Sequence, residues 1–224
     1  MVPMDRDDGP GIAAGWTLVV PLKPLSRAKS RLAASAGERL RPELALAFAR
    51  DTVTAALACP AVESVVIVTD DPRAGAELAA AGARVVPDVP AAGLNAALEH
   101  GEAVVRGRRP DAAVAALNAD LPALRPDELA RVLAVARAHP RAFLADAAGV
   151  GTTLLAAAPG TALAPAFGGA SRERHLRSGA VEIVLTDVES VRRDVDTGED
   201  LAAALALGVG PHTRGLRTSA ASPA

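Results

Sequence analysis

Three short stretches hold side chains able to do chemistry together. In "PLKPLSRAKSRL", residues 21–32, Lys23, Arg27, Lys29 and Arg31 follow an apolar run with no carboxylate among them. Such a loop can hold a polyphosphate and oppose the charge that develops on a leaving pyrophosphate; a solvated basic surface loop is the competing reading. In "LNADLPAL", residues 117–124, an apolar run ends in Asp120. A carboxylate at a strand end can bind a hard cation such as Mg2+, which takes oxygen ligands and keeps waters and substrate phosphates; a turn or capping Asp is the alternative. Asp120 needs a partner, and "RRDVDTGEDL" offers Asp194 and Asp196, which alternate along an extended segment and are expected to project to one side. Thr197 reads as a helix N-cap with Asp200 at the capping-box position, which explains those two residues but neither Asp194 nor Asp196.

The third stretch is "FGGASRERHLRSGA", residues 167–180. Gly168 and Gly169 permit close backbone approach, and Ser171 is expected to cap a short helix. Its N–H groups, with Arg172, Arg174, His175 and Arg177, offer a receptor for a small anion, with a solvated helix as the competing reading. Thr152 and Thr153 follow "GVG" and offer hydroxyl or backbone donors, although strand propensity explains them equally. Asn95, in "GLNAAL", carries an amide suited to a base or ribose, or to a helix cap. Cys59 is the single cysteine, so no internal disulfide and no cysteine-built metal centre exists, and its apolar surroundings read as core. The four histidines are dispersed without metal-ligand spacing, and GxGxxG, Walker A and GxSxG patterns are absent.

Elements that position these residues alternate along the chain. Short β runs "TLVVPL", "VESVVIVTD", "ARVVPD" and "DAAVAALNAD" are separated by a helix from near Pro42, a short helix, and a helix from about Gly93. Leu46, Ala49, Val53 and Leu57 recur at helical spacing. This βαβα order predicts a parallel sheet covered on both faces. The second half is less regular, with a helix in "RPDELARVLAVARAH", strands "RAFLAD", "TTLLAAA" and "VEIVLTD", and a helix in "DTGEDLAAALAL". A Rossmann-like nucleotide half followed by an acceptor half with some antiparallel strands is expected. Residues 1–15 read as a flexible extension, 16–211 as one domain, and 212–224 as a flexible tail, because the two ends lack apolar periodicity.

With 224 residues, 22% charged and a net charge of −2, the chain is neither a cationic nucleic-acid binder nor disordered. The N-terminus carries acids where a secretory signal carries cations, and no run reaches the ~20 apolar residues of a membrane span. A cytoplasmic protein acting on small molecules, with no nucleic-acid or membrane partner, is expected. No interface is legible, so a homo-oligomer stays open.

Together, "PLKPLSRAKSRL", "GLNAAL", "ADLPAL", "FGGASRERHLRSGA" and "DVDTGEDL" resemble the family of phosphoenolpyruvate and 2-phospho-L-lactate guanylyltransferases of coenzyme F-420 biosynthesis, from about Leu18 to Gly210. The likeness is greatest to the actinobacterial branch that uses phosphoenolpyruvate. It implies a single-domain, Rossmann-like (GT-A-like) nucleotidyltransferase fold, a three-layer α/β sandwich with a mixed, mainly parallel sheet. GTP and Mg2+ are implied with it, as is a downstream transferase that carries the product to the deazaflavin precursor. By the resemblance Asp120 and Asp194 are the metal-ligand pair with Asp196 beside them, and Asp120 is catalytic. Lys23, Lys29 and Arg31 form a catalytic nucleotide-phosphate loop, Asn95 contacts the nucleotide, and Thr152, Gly168 and Ser171 hold phosphoenolpyruvate. The sequence departs from the family pattern in "NADLP", where Gly often precedes the Asp, and in "DTGEDL", where Pro often follows the Thr. The rivals are the same chemistry on 2-phospho-L-lactate, a nucleotidyltransferase making another CDP- or GDP-linked product, and a non-catalytic nucleotide-binding protein on the same fold.

Overall fold

The computed structural model describes residues 15–27 and 40–220. Lys29 and Arg31 lie outside the described residues, as do residues 1–14 of the expected extension and residues 221–224 of the expected tail. One sheet holds seven strands among the described residues: β1 (Trp16–Pro21), β2 (Val62–Val68), β3 (Arg84–Val86), β4 (Val114–Leu117), β5 (Arg141–Ala145), β6 (Thr152–Ala157) and β7 (Val181–Glu182). Their order is β3-β2-β1-β4-β6-β5-β7. Every pairing is parallel except the two that β6 makes, with β4 and β5, so the sheet is mixed and mainly parallel as expected.

Strand alternation builds the three layers. Leu18 and Val20 of β1 enter one apolar cluster and Val19 the other; β2 repeats this with Val65 and Ile67 against Val66 and Val68. The first face is covered by α1 (Arg41–Leu57) through Leu46, Ala49 and Val53, by α2 (Pro72–Ala80) through Leu78, and by α4 (Pro126–Ala136) through Leu129, Val132 and Leu133. The second is covered by α3 (Leu94–Arg106) through Ala97, Leu98 and Val105. A Cβ at Gly101 would overlap the Val19 side chain, so glycine lets α3 lie directly on β1. With helices on both faces the central strands carry no polar face, which is why they read as unbroken apolar runs.

The remaining helices are α5 (Ser171–Arg177), α6 (Glu189–Arg192), α7 (Gly198–Leu207) and α8 (Pro211–Ala220). The last corrects the expectation of a flexible tail from residue 212. Asp51, buried on α1, accepts from His212 N at 3.0 Å and Thr213 N at 2.9 Å, so it caps the N-terminal turn of α8 from a distant helix. Local composition carries no trace of a cap supplied 161 residues earlier. The strand expected over "VEIVLTD" shrinks to Val181–Glu182: Ile183 is buried but Val184 is 84% exposed, as an edge strand with solvent beyond it allows.

Candidate active site

β1 leads through α1 to β2 and β3 on one side, then the chain returns to place β4 on the other side of β1. At such a switch point the loops leaving the strand C-termini diverge and open a crevice. The loop after β1 carries the exposed Lys23 and is anchored where it is described. Leu22 N bonds Val68 O at 2.9 Å, Leu25 is buried, and Leu25 N donates to Asp71 Oδ2 at 2.8 Å. Asp71 Oδ1 meanwhile caps α2 through Arg73 N and Ala74 N, at 3.1 and 3.0 Å. Burial raises the Asp71 pKa, but the three backbone donors and the Arg73 charge outweigh it and leave the carboxyl below its usual value.

Beside that loop, Asp120 leaves β4. Its neighbours are fixed by Thr52 on α1, whose Oγ1 accepts from Leu121 N at 3.0 Å and donates to Phe48 O at 2.8 Å. Val195 N donates to Asp120 O at 3.1 Å, and Asn118 Nδ2 reaches Asp194 Oδ2 at 3.5 Å. Two acids far apart in the chain therefore share one site. Both are partly buried, whereas Asp196 is exposed. Val195, between them, is fully buried among Leu44, Phe48 and Ala123. The segment is not paired in the sheet, and Asp194 is tied to the Asp120 loop through Asn118. The capping box at Thr197 and Asp200 is present as expected. No group of three or more His, Cys, Asp or Glu among the described residues can enclose a metal ion. Two carboxylates suit a hard cation that completes its shell with water and phosphate oxygens.

The residues expected to hold phosphoenolpyruvate lie against the start of β6, which Asn118 N joins to β4 by bonding Thr153 O at 3.0 Å. β5 and β6 pair in step up to Leu144↔Leu154, after which Ala145 pairs with Thr152, so Thr153 is an inserted residue. That bulge turns Thr152 to the face of Phe143 rather than that of Leu154. There Thr152 Oγ1 lies 2.9 Å from His175 Nδ1 on α5, and Ala166 N donates to His175 Nε2 at 3.0 Å. The ring packs against Phe143 and Phe167 at centroid distances of 5.5 and 5.1 Å. Ser171, one turn before His175, is buried on the same face. Its expected capping role is not observed: it is the first residue of α5 and makes no side-chain cap. Gly168 and Gly169 have φ of +98° and +45°, the left-handed region that favours glycine.

Asn95 shapes this same turn. Phe167 N donates to Asn95 Oδ1 at 2.8 Å and Asn95 Nδ2 donates to Phe167 O at 3.2 Å. Its amide is engaged by the Phe167 backbone, and the cap position of α3 is Gly93 rather than Asn95. The cationic receptor expected on α5 is likewise largely spoken for. Arg172 forms a two-pronged pair with Glu182 at 2.8 and 3.0 Å, Arg174 Nε bonds Ala166 O at 3.0 Å, and Arg177 faces Glu173 at 3.5 Å. His175 is fully buried, and burial, followed by the charges of Arg141 and Arg174, pushes its pKa down to about 4, so it contributes no positive charge near neutrality. Sequence reasoning missed the roles of His175 and Asn118; the signals were the four-residue spacing of Ser171 and His175 and the position of Asn118 two residues before Asp120.

A mixed, mainly parallel sheet covered on both faces, with its switch point between β1 and β4, is the fold of the α/β nucleotidyltransferase class. The chain belongs to the guanylyl transferase CofC-like family, whose model matches residues 16–219. It is 71% identical over 198 residues to the phosphoenolpyruvate guanylyltransferase of Streptomyces coelicolor, an alignment covering 88% of this chain and 93% of that protein. Its fold is similar to a nucleotidyl transferase from Methanothermobacter thermautotroptrophicus, with 25% identity, a TM-score of 0.60 and coverage of 91% of this chain and 99% of the other. A Mycobacterium tuberculosis protein in complex with manganese shares the fold at 21% identity and a TM-score of 0.53, covering 86% of this chain and 98% of its own.

Proposed function

We propose that this chain transfers GMP from GTP to phosphoenolpyruvate, giving enolpyruvoyl-2-diphospho-5'-guanosine and pyrophosphate. The observation that carries the reading is the meeting of Asp120 and Asp194 at the β1/β4 crevice, beside the Thr152 end of β6, in a chain of this family. A phosphate oxygen of phosphoenolpyruvate attacks the α-phosphorus of GTP. The new P–O bond forms as the bond to the α–β bridging oxygen breaks, and pyrophosphate leaves with the electron pair.

Both reactants are anions, so the protein's task is alignment and charge neutralisation, with no covalent enzyme intermediate. Lys23, Lys29 and Arg31 hold the triphosphate. Asp120 and Asp194 are the residues that hold Mg2+, with Asp196 an outlying neighbour; when bound, the cation offsets charge on the phosphates. Thr152, Gly168 and Ser171 hold phosphoenolpyruvate, and Asn95 supports their turn from behind. The product passes to a downstream transferase in the cytoplasm. No helix among the described residues is long and apolar enough to cross a membrane.

The test is pyrophosphate release by the purified chain with Mg2+ and GTP, with phosphoenolpyruvate or 2-phospho-L-lactate as acceptor and products identified by mass spectrometry. Turnover with phosphoenolpyruvate is expected. Preference for the lactate compound transfers the chain to the sister activity, and GTP binding without pyrophosphate release from either acceptor makes it a nucleotide-binding protein.

A further inference from the structure

His175 is engaged at both ring nitrogens, and the two contacts together settle where its proton sits. Ala166 N–H can only donate, so His175 Nε2, 3.0 Å away, must present a lone pair. A neutral imidazole then carries its single proton on Nδ1, which faces Thr152 Oγ1 at 2.9 Å. A doubly protonated ring would set an N–H against the Ala166 N–H, and full burial between Phe143 and Phe167 opposes the charge as well. Thr152 Oγ1 is therefore the acceptor in this pair. Its own hydrogen is directed away from the ring and is available to a further acceptor.

We propose that His175 is a positioning residue of the acceptor half: it sets the Thr152 hydroxyl as a hydrogen-bond donor to an anionic oxygen of the acceptor substrate, and through Ala166 it holds the turn that carries Gly168 and Gly169. The inference rests on the reading of Thr152 as an acceptor-binding residue. It gives the Thr153 bulge a purpose, because without the inserted residue Thr152 would face the opposite side of the sheet, away from α5. It also explains a buried histidine on a helix whose arginines are engaged elsewhere. A neutral imidazole can accept from a backbone N–H on one edge and donate to a hydroxyl on the other.

Two measurements test it. Long-range 15N–1H correlation spectra of the uniformly labelled full chain near pH 7 report the tautomer of each histidine ring, and His100→Gln, His139→Gln and His212→Gln each remove one ring, which assigns His175 by elimination. The Nδ1–H tautomer is expected; an Nε2–H ring or an imidazolium overturns the proposal. The kinetic arm uses His175→Gln, whose amide oxygen can still accept from Ala166 N but has no donor at the Nδ1 position. The KM for phosphoenolpyruvate is expected to rise roughly tenfold, the worth of one hydrogen bond, with the KM for GTP unchanged. Combined with Thr152→Val, it should add nothing to the effect of Thr152→Val alone. An equal rise in both KM values, or additive losses, overturns the proposal. If the chain turns over neither acceptor, the functional reading fails, while the tautomer still decides the role of His175.

Discussion

The backbone N–H of Val195 donates to the carbonyl oxygen of Asp120 across 3.1 Å. With Val195 fully buried in the cluster of Leu44 and Phe48, this bond fixes the backbone immediately after Asp194 to the backbone of Asp120. The acid pair is thus positioned by an apolar anchor and a main-chain bond, and neither depends on a ligand being present.

Replacing either acid by its amide should leave the fold in place and remove most of the activity. Asp120→Asn and Asp194→Asn are each expected to lower kcat/KM by about 100-fold or more, as losses of charge-stabilising groups do, with part of the loss recovered at higher Mg2+. Initial rates across a Mg2+ series, beside a thermal melt, check this. Near-normal turnover in Asp120→Asn would remove that acid from the mechanism.

Asn95 separates two expectations that the amide alone left open. Asn95→Ala leaves Phe167 N–H and C=O without their side-chain partners, at a cost of roughly 1–3 kcal/mol in turn geometry. The expected outcome is a higher KM for phosphoenolpyruvate, by about tenfold, and an unchanged KM for GTP. A rise confined to GTP would restore the nucleotide contact inferred from sequence.

His175 predicts an acid-side loss of stability. The ring titrates near 6.5 when unfolded and near 4 in the fold, where burial and the Arg141 and Arg174 charges disfavour the cation. Between those values the unfolded chain binds the extra proton, so stability falls as pH drops from about 6.5 towards 4 and is level above that window, with a total on the order of 3 kcal/mol. Urea midpoints measured through this range should show that slope in the native chain and a shallower one in His175→Gln. Equal slopes in the two proteins would show that other groups govern the acid response.

Asp51 predicts that the C-terminal helix is part of the domain. Asp51→Ala strands two backbone donors at the start of α8, His212 N and Thr213 N, and should cost about 1–3 kcal/mol. A chain ending at residue 210 should be destabilised as well, because Thr213 is fully buried. Denaturant unfolding of both variants is the measurement; native stability in the shortened chain would make α8 dispensable.

Much of this arrangement was legible in the sequence because it is encoded locally. Apolar runs of strand length around Val19, Ile67 and Ala115, each followed by a helical repeat, specify a covered parallel sheet, since only strands buried on both faces lack alternation. The basic loop and Asp120 could be placed at strand ends for the same reason, and the Thr197–Asp200 capping box is a four-residue motif read directly. Other features were decided only by packing. Asp194 was brought to the Asp120 loop by the burial of Val195, α8 was capped by Asp51 from another helix, and Asn95 was drawn to Phe167. One inserted residue, Thr153, set which face Thr152 occupies. These outcomes depend on contacts between residues remote in the chain, where hydrogen-bond satisfaction and close packing select among conformations that local propensity leaves nearly equal.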